Sequence, residues 1–213
     1  MLNLRFDRLH RVLCLGAHSD DIEIGAGGTL LRLLHEQPAL HVDWVVFSAS
    51  EERAAEARHS AAQFLARAAT ARVVVKNFRD SYFPYQGAEI KEFFEELRRD
   101  AQPDLIFTHR RDDAHQDHRL LAELTWCAFR DHLVCEYEIP KYEGDLGQPN
   151  LFVPLAQNIT ERKLEIVTSA FASQQGKPWF TRDTFAALMR LRGVECHAAE
   201  RFAEAFYVRK LTL

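Results

Sequence analysis

The first half of the chain alternates short, uniformly apolar segments with longer segments of helical periodicity, and this constrains its fold more than any other feature. Arg11 to Ala17 (RVLCLGA), Val42 to Ser48, Val73 to Val75 and Leu105 to Thr108 have strand length. Between the first two lie Gly25, Gly27 and Gly28, expected to open a helix that carries Leu30, Leu31, Leu33 and Leu34. Glu51 to Ala68 places Ala54, Ala57, Ala61, Phe64, Leu65 and Ala68 on one stripe. Ala88 to Asp100 reads as a third helix, ended by Pro103. The strands are apolar throughout rather than alternating, so both their faces must be covered. That requirement points to an α/β chain: a Rossmann-like, three-layer fold with a mostly parallel central sheet flanked by helices.

The second half is less regular. Asp117 to His132 is expected to be helical, with Leu120, Leu121, Leu124, Cys127 and Ala128 on one face. Leu133 to Ile139 and Leu151 to Leu155 read as strands, separated by a loop containing Pro140, Gly144, Gly147 and Pro149. Thr160 is expected to cap a helix reaching about Phe171. A further helix covers Thr181 to Arg192, and Phe202 to Arg209 reads as a last strand. No repeat, low-complexity tract or linker interrupts the pattern, so residues 1–213 are read as one domain. A chain of 213 residues, 47% of them apolar, can bury a core without covalent staples.

Several function classes are disfavoured by the same letters. A net charge of -4 argues against a nucleic-acid binder that works by neutralising phosphates. No run approaches the roughly 18 apolar residues of a membrane span. The run Val12 to Ala17 is short for a secretory signal, so a cytoplasmic protein is expected. Cys14, Cys127, Cys135 and Cys196 form no C-x-x-C pair and read as buried free thiols.

In a parallel sheet of this kind, ligands bind at the carboxyl ends of the strands. Two clusters fall there. His18-Ser19-Asp20-Asp21-Ile22-Glu23 follows the first strand, and Asp112-Asp113-Ala114-His115-Gln116-Asp117-His118 follows the fourth. Strand-end loops are polar in any case, and Asp commonly serves turns and caps. Two imidazoles and a carboxylate, however, meet the needs of a catalytic zinc, which takes three protein ligands and leaves a position open. The clusters can act together only if the first and fourth strands are neighbours.

The two clusters also carry a resemblance. Gly16-Ala-His-Ser-Asp-Asp-Ile-Glu-Ile-Gly-Ala-Gly-Gly-Thr-Leu30 is similar to the A-H-P-D-D-x-E-x-G-x-G-G-T-L signature of the LmbE-like, or PIG-L, deacetylase family. Thr108-His-Arg-Arg-Asp-Asp-Ala-His-Gln-Asp-His-Arg119 is similar to that family's T-H-x-x-x-D-x-H-x-D-H. Arg192-Gly193 and Ala203-Glu-Ala-Phe206 resemble its C-terminal pattern. Ser19 and Gln116 stand where the family usually has proline, which leaves each loop less stiff.

The resemblance implies metal ligands at His18, Asp21 and His118. Asp20 would be the general base for the attacking, metal-activated water, and His115 would stabilise the oxyanion and protonate the leaving amine. Asp117 would orient or tune a catalytic partner. Arg53 and Asp80, after the second and third strands, are candidates for substrate binding. His109 is a candidate neighbour of the site, and Glu23 is either that or a charge favoured by a helix start. Tyr82, Phe83, Tyr85, Trp126 and Trp179 could stack on a sugar, although aromatic side chains more often fill cores.

The implied activity is a zinc-dependent N-deacetylase that hydrolyses the acetamide of an N-acetylated amino sugar or sugar conjugate. Iron(II) or another divalent ion also suits such a donor set. The partner is then a small molecule, and similarity adds the expectation of a homo-oligomer. Two competing readings are a metal-dependent phosphoesterase and a non-catalytic sugar-binding protein on the same fold.

Overall fold

All four apolar runs of the first half become strands, and they join one seven-stranded sheet. The computed structural model describes residues 5–6 and 9–212. The single domain expected over 1–213 therefore extends past the described residues at both ends. The element order begins β1 (Arg11–Gly16), α1 (Asp21–Glu36), β2 (His41–Val46), α2 (Glu51–Phe64), β3 (Thr70–Val75), α3 (Gly87–Asp100) and β4 (Leu105–His109). It continues α4 (Gln116–Ala128), β5 (Leu133–Tyr137), β6 (Leu151–Leu155), α5 (Gln157–Ala170), α6 (Arg182–Glu195) and β7 (Phe202–Val208). Short 3-10 turns occupy Phe83–Tyr85 and Ala172–Gln174.

The sheet order is β3-β2-β1-β4-β5-β7-β6. Strands β1 to β5 pair in parallel, and β7 runs antiparallel to both β5 and β6. The mostly parallel α/β architecture expected from the apolar runs is thus present. Side chains alternate across each strand. Val12 and Cys14 of β1, with Val42, Trp44 and Val46 of β2, face the core under α1, α2 and α5. Leu13 and Leu15, with Val45, Phe47 and Ile106, face the other core under α3 and α4. Both sets are buried, which is why these strands read as unbroken apolar runs.

Three local expectations are corrected. Helix α1 starts at Asp21, ahead of the glycines, which therefore lie inside it. They are tolerated there because neighbours come too close for a Cβ. One at Gly25 would enter the Tyr137 ring, and one at Gly28 would sit 2.5 Å from Leu155. Thr160 is not a cap: α5 begins at Gln157, and the buried Thr160 hydroxyl donates back to the Ala156 carbonyl. Cys127 is exposed because α4 turns Leu121, Ala122, Thr125 and Ala128 inward instead. Among the described residues, no helix is long and apolar enough to cross a membrane.

Candidate active site

The site follows from strand order. Since β1 pairs with β4, the loops leaving their carboxyl ends run side by side. This is also the point where the chain crosses from one half of the sheet to the other, the usual crevice of an open parallel sheet. His18 lies in the turn after β1, Asp21 is the first residue of α1, and His118 lies in the first turn of α4.

These three side chains converge. His18 Nδ1 is 3.2 Å from His118 Nε2 and 3.4 Å from Asp21 Oδ2, and His118 Nε2 is 3.6 Å from Asp21 Oδ2. Donors held ~2.0–2.1 Å from one tetrahedral ion lie about 3.4 Å apart, so the trio fits a single divalent cation. The groupings His18–His115–His118, Asp21–His109–His118 and His18–Asp80–Asp117 also gather donor atoms, and each overlaps the trio. The β1 turn needs no proline to hold its shape, because the Asp21 carboxylate accepts from the His18 backbone N–H at 2.6 Å.

Asp20 occupies the N-cap position of α1, yet its side chain makes no capping bond. Its buried carboxylate instead lies 2.9 Å from the Arg53 guanidinium, delivered by the first turn of α2. Arg53 Nη2 makes no aligned hydrogen bond there, so this is a contact of charge. Asp80 is exposed but reaches within 3.2 Å of His18 Nε2. His115 caps α4: its Nδ1 accepts from the Asp117 N–H at 3.3 Å, and its ring packs 4.6 Å from that of His118. Asp117 is buried and faces His18 rather than His115. Its oxygens accept from the N–H groups of Ser81 and Phe83, pinning the turn after β3.

Electrostatics follow from this crowding. Burial pulls the His18 imidazole down, but hydrogen bonds to Asp117, Asp21 and Asp80 hold it well above its ordinary range. Burial drives His118 down to about 3, with the neighbouring His109 adding to the effect. Burial raises Asp21, yet His118 and His109 outweigh it and hold the carboxyl well below the usual range. Asp20 is raised by burial against the opposing charge of Arg53. His115 is lowered by burial and by His18.

Sequence reasoning assigned no role to Asp113, although the residue stands inside the second cluster. Its buried Oδ2 lies 3.1 Å from His118 Nδ1, the ring nitrogen that faces away from the trio. The signal available was a carboxylate five positions before a candidate ligand. His109 is fully buried, stacks on His118 with ring centroids 3.8 Å apart, and lies 3.1 Å from Asp21 Oδ2. Glu23 is buried beneath the site, and burial raises its carboxyl well above the usual range. Of the aromatic candidates, Phe83 is buried beside His18, while Tyr82 and Tyr85 are exposed on the same turn. Trp126 donates to Glu136, and Trp179 packs on Phe180 and Phe185.

A family model described as PIG-L, GlcNAc-PI de-N-acetylase, matches residues 13–129, which include both clusters. No curated protein matches the sequence. The fold is similar to that of N,N'-diacetylchitobiose deacetylase from Pyrococcus horikoshii, with a TM-score of 0.74 and 20% identity over 96% of this chain and 85% of that one. It is also similar to a conserved protein from Thermus thermophilus, with a TM-score of 0.71 and 19% identity over 97% of each chain. A 4-carboxy-2-hydroxymuconate hydratase from Pseudomonas putida gives a TM-score of 0.67 and 17% identity over 96% of this chain and 98% of that one. A hydratase among the neighbours means that the architecture alone does not decide the reaction.

Proposed function

The chain belongs to the PIG-L family, and from that premise we propose that it is a metal-dependent N-deacetylase of an N-acetylated amino sugar or a conjugate of one. The observation that carries this reading is the approach of His18 Nδ1, Asp21 Oδ2 and His118 Nε2 to within 3.2–3.6 Å of one another, with Asp20 next to them at the α1 N-cap, its carboxylate making no capping bond. These three residues would hold the ion, with zinc the best match to the donors and iron(II) or another divalent ion also suited. When bound, such an ion polarises the scissile carbonyl and makes water a stronger acid.

The remaining work belongs to the chain. Asp20 takes the proton of the attacking water, and Arg53, 2.9 Å away, holds the Asp20 carboxylate in place. With Nδ1 engaged as an acceptor, neutral His115 carries its one proton on Nε2 and can donate a hydrogen bond to the oxyanion, while the proton that Asp20 took from water is the one passed on to the departing amine. Asp117 orients His18 and the Ser81–Phe83 turn rather than touching the reacting atoms. Asp80 and Arg53 border the place where the sugar would lie. A single domain, a cytoplasmic location and a homo-oligomeric assembly complete the proposal; they rest on the sequence and the family resemblance.

An acetate-release screen over N-acetyl sugars, nucleotide sugars and glycolipids, with and without chelator, tests the reading. The expected result is acetate and a free amine, lost with chelator and restored by zinc or iron(II). Release of phosphate instead would identify a phosphoesterase, and sugar binding by the metal-loaded protein without turnover would identify a binding protein. His118→Ala should sharply lower the metal content measured by elemental analysis.

A further inference from the structure

Lys141 stands in the loop after β5, far in sequence from either cluster, and its side chain is only 9% exposed. Its Nζ lies 3.0 Å from Asp113 Oδ2, the same oxygen that lies 3.1 Å from His118 Nδ1. The other oxygen of Asp113 accepts from the His115 N–H at 2.8 Å. Lys141 Nζ also donates to both oxygens of Asp145, at 2.6 and 2.7 Å. Asp145 Oδ2 in turn accepts from the Ala114 N–H at 2.6 Å. The turn that bears Asp113, His115 and His118 is therefore gripped from the β5–β6 loop by one ammonium, Lys141, and one carboxylate, Asp145.

We propose that Lys141 is a positioning residue for the metal centre: it holds Asp113 in place, and Asp113 fixes the ring of His118. This rests on the reading of His118 as a ligand. A histidine that donates one ring N–H to a carboxylate is locked in orientation and tautomer, so its other nitrogen presents a lone pair to the ion. Here Nδ1–H donates to Asp113, and Nε2 faces His18 and Asp21. A carboxylate buried to this extent keeps its charge and place only with compensation. Lys141 supplies that compensation on the oxygen His118 uses. The other buried pairs, Lys163–Glu204 and Arg192–Glu138, touch none of the three candidate ligands.

Zinc affinity of the 213-residue chain, measured by competition with a chromophoric chelator alongside melting temperature, tests the proposal without recourse to activity. Lys141→Met should bind zinc roughly 10–100-fold more weakly than wild type. Lys141→Arg, which retains the charge, should recover most of that loss, and Asp113→Ala should lose at least as much as Lys141→Met. Lys163→Met serves as the structural control, with a lowered melting temperature and unchanged affinity in the folded protein. A folded Lys141→Met that binds zinc as tightly as wild type overturns the proposal. If that variant does not fold, Asp145→Asn takes its place: weaker binding supports the proposal and unchanged binding overturns it. A wild-type chain that binds no divalent ion removes the metal reading and this inference with it. Zinc binding without acetate release strikes only the deacetylase reading.

Discussion

At the carboxyl ends of β1 and β4, buried carboxylates and imidazoles point towards one spot; at the antiparallel side of the sheet, buried charges are spent on each other. Glu204 of β7 accepts from the N–H groups of Gly28 and Thr29 and from Lys163 Nζ, while Lys163 also donates to the Ile24 carbonyl. The pair is thereby stitched into the backbone of α1. Glu138 is likewise satisfied by Arg192 and Tyr207. In the other region, Asp20 makes no capping bond and lies 2.9 Å from Arg53, both oxygens of Glu23 are without a hydrogen-bond partner, and three donor atoms face a common centre. Buried charge paired away from the three candidate ligands describes architecture; buried charge aimed at a shared point, with the pairs that steady it, costs stability and is kept for a ligand. The family match over residues 13–129 contains the second kind.

Four substitutions can break or sharpen that contrast. The largest effect is expected at Asp20→Ala: turnover should fall about 10²–10⁴-fold with metal content unchanged. A rate near wild type in acetate release would place the base elsewhere.

Next is Lys163→Met, which leaves Glu204 buried without its ammonium. The expected cost is about 3–5 kcal/mol. At roughly 2–4 °C per kcal/mol for a chain of this size, calorimetry should read it clearly. Turnover per folded molecule should not change, and a selective loss of turnover would erase the distinction between the regions.

Gly25→Ala drives a methyl group into the Tyr137 ring, whose hydroxyl donates to the Leu15 carbonyl beneath the site. Overpacking of about 1–3 kcal/mol is expected from denaturant unfolding, with some loss of activity as well, because this glycine lies where the two regions meet.

The smallest effect is expected at Asp43→Asn, remote from both regions. Burial raises this carboxyl, but hydrogen bonds from Arg11 and Arg72 overcome it and hold it below the ordinary value. Stability from a depressed carboxyl is present above the unfolded value of about 3.9 and is lost as pH falls through the folded value. The variant should therefore be less stable than wild type at neutral pH, by about 1 kcal/mol given the partial exposure of both arginines. The gap should close in acid, and a constant gap would remove Asp43 as its source.

The strands and helices were legible in the sequence because their signals are local: an apolar run or a 3.6-residue stripe is visible within a dozen letters. The ends were less so. The α1 start moved ahead of its glycines, and Cys127 turned outward, because close approach and helix rotation depend on neighbours that the letters do not show. The two site clusters were legible as compact motifs, and the resemblance divided roles between Asp20 and Asp21 that spacing alone would not separate.

What the sequence by itself determined is the α/β alternation and the stock of ligating groups at two strand ends. Only the tertiary structure decided that β1 lies beside β4, which brings His18 and His118 together across 100 positions. Only it joined Lys141 to Asp113 across 28 positions and Glu204 to Gly28 across 176. The physical reason is range. Side-chain periodicity is written by neighbours along the chain, whereas a cation site or a buried ion pair is written by whichever segments the folded sheet and its helices bring into contact.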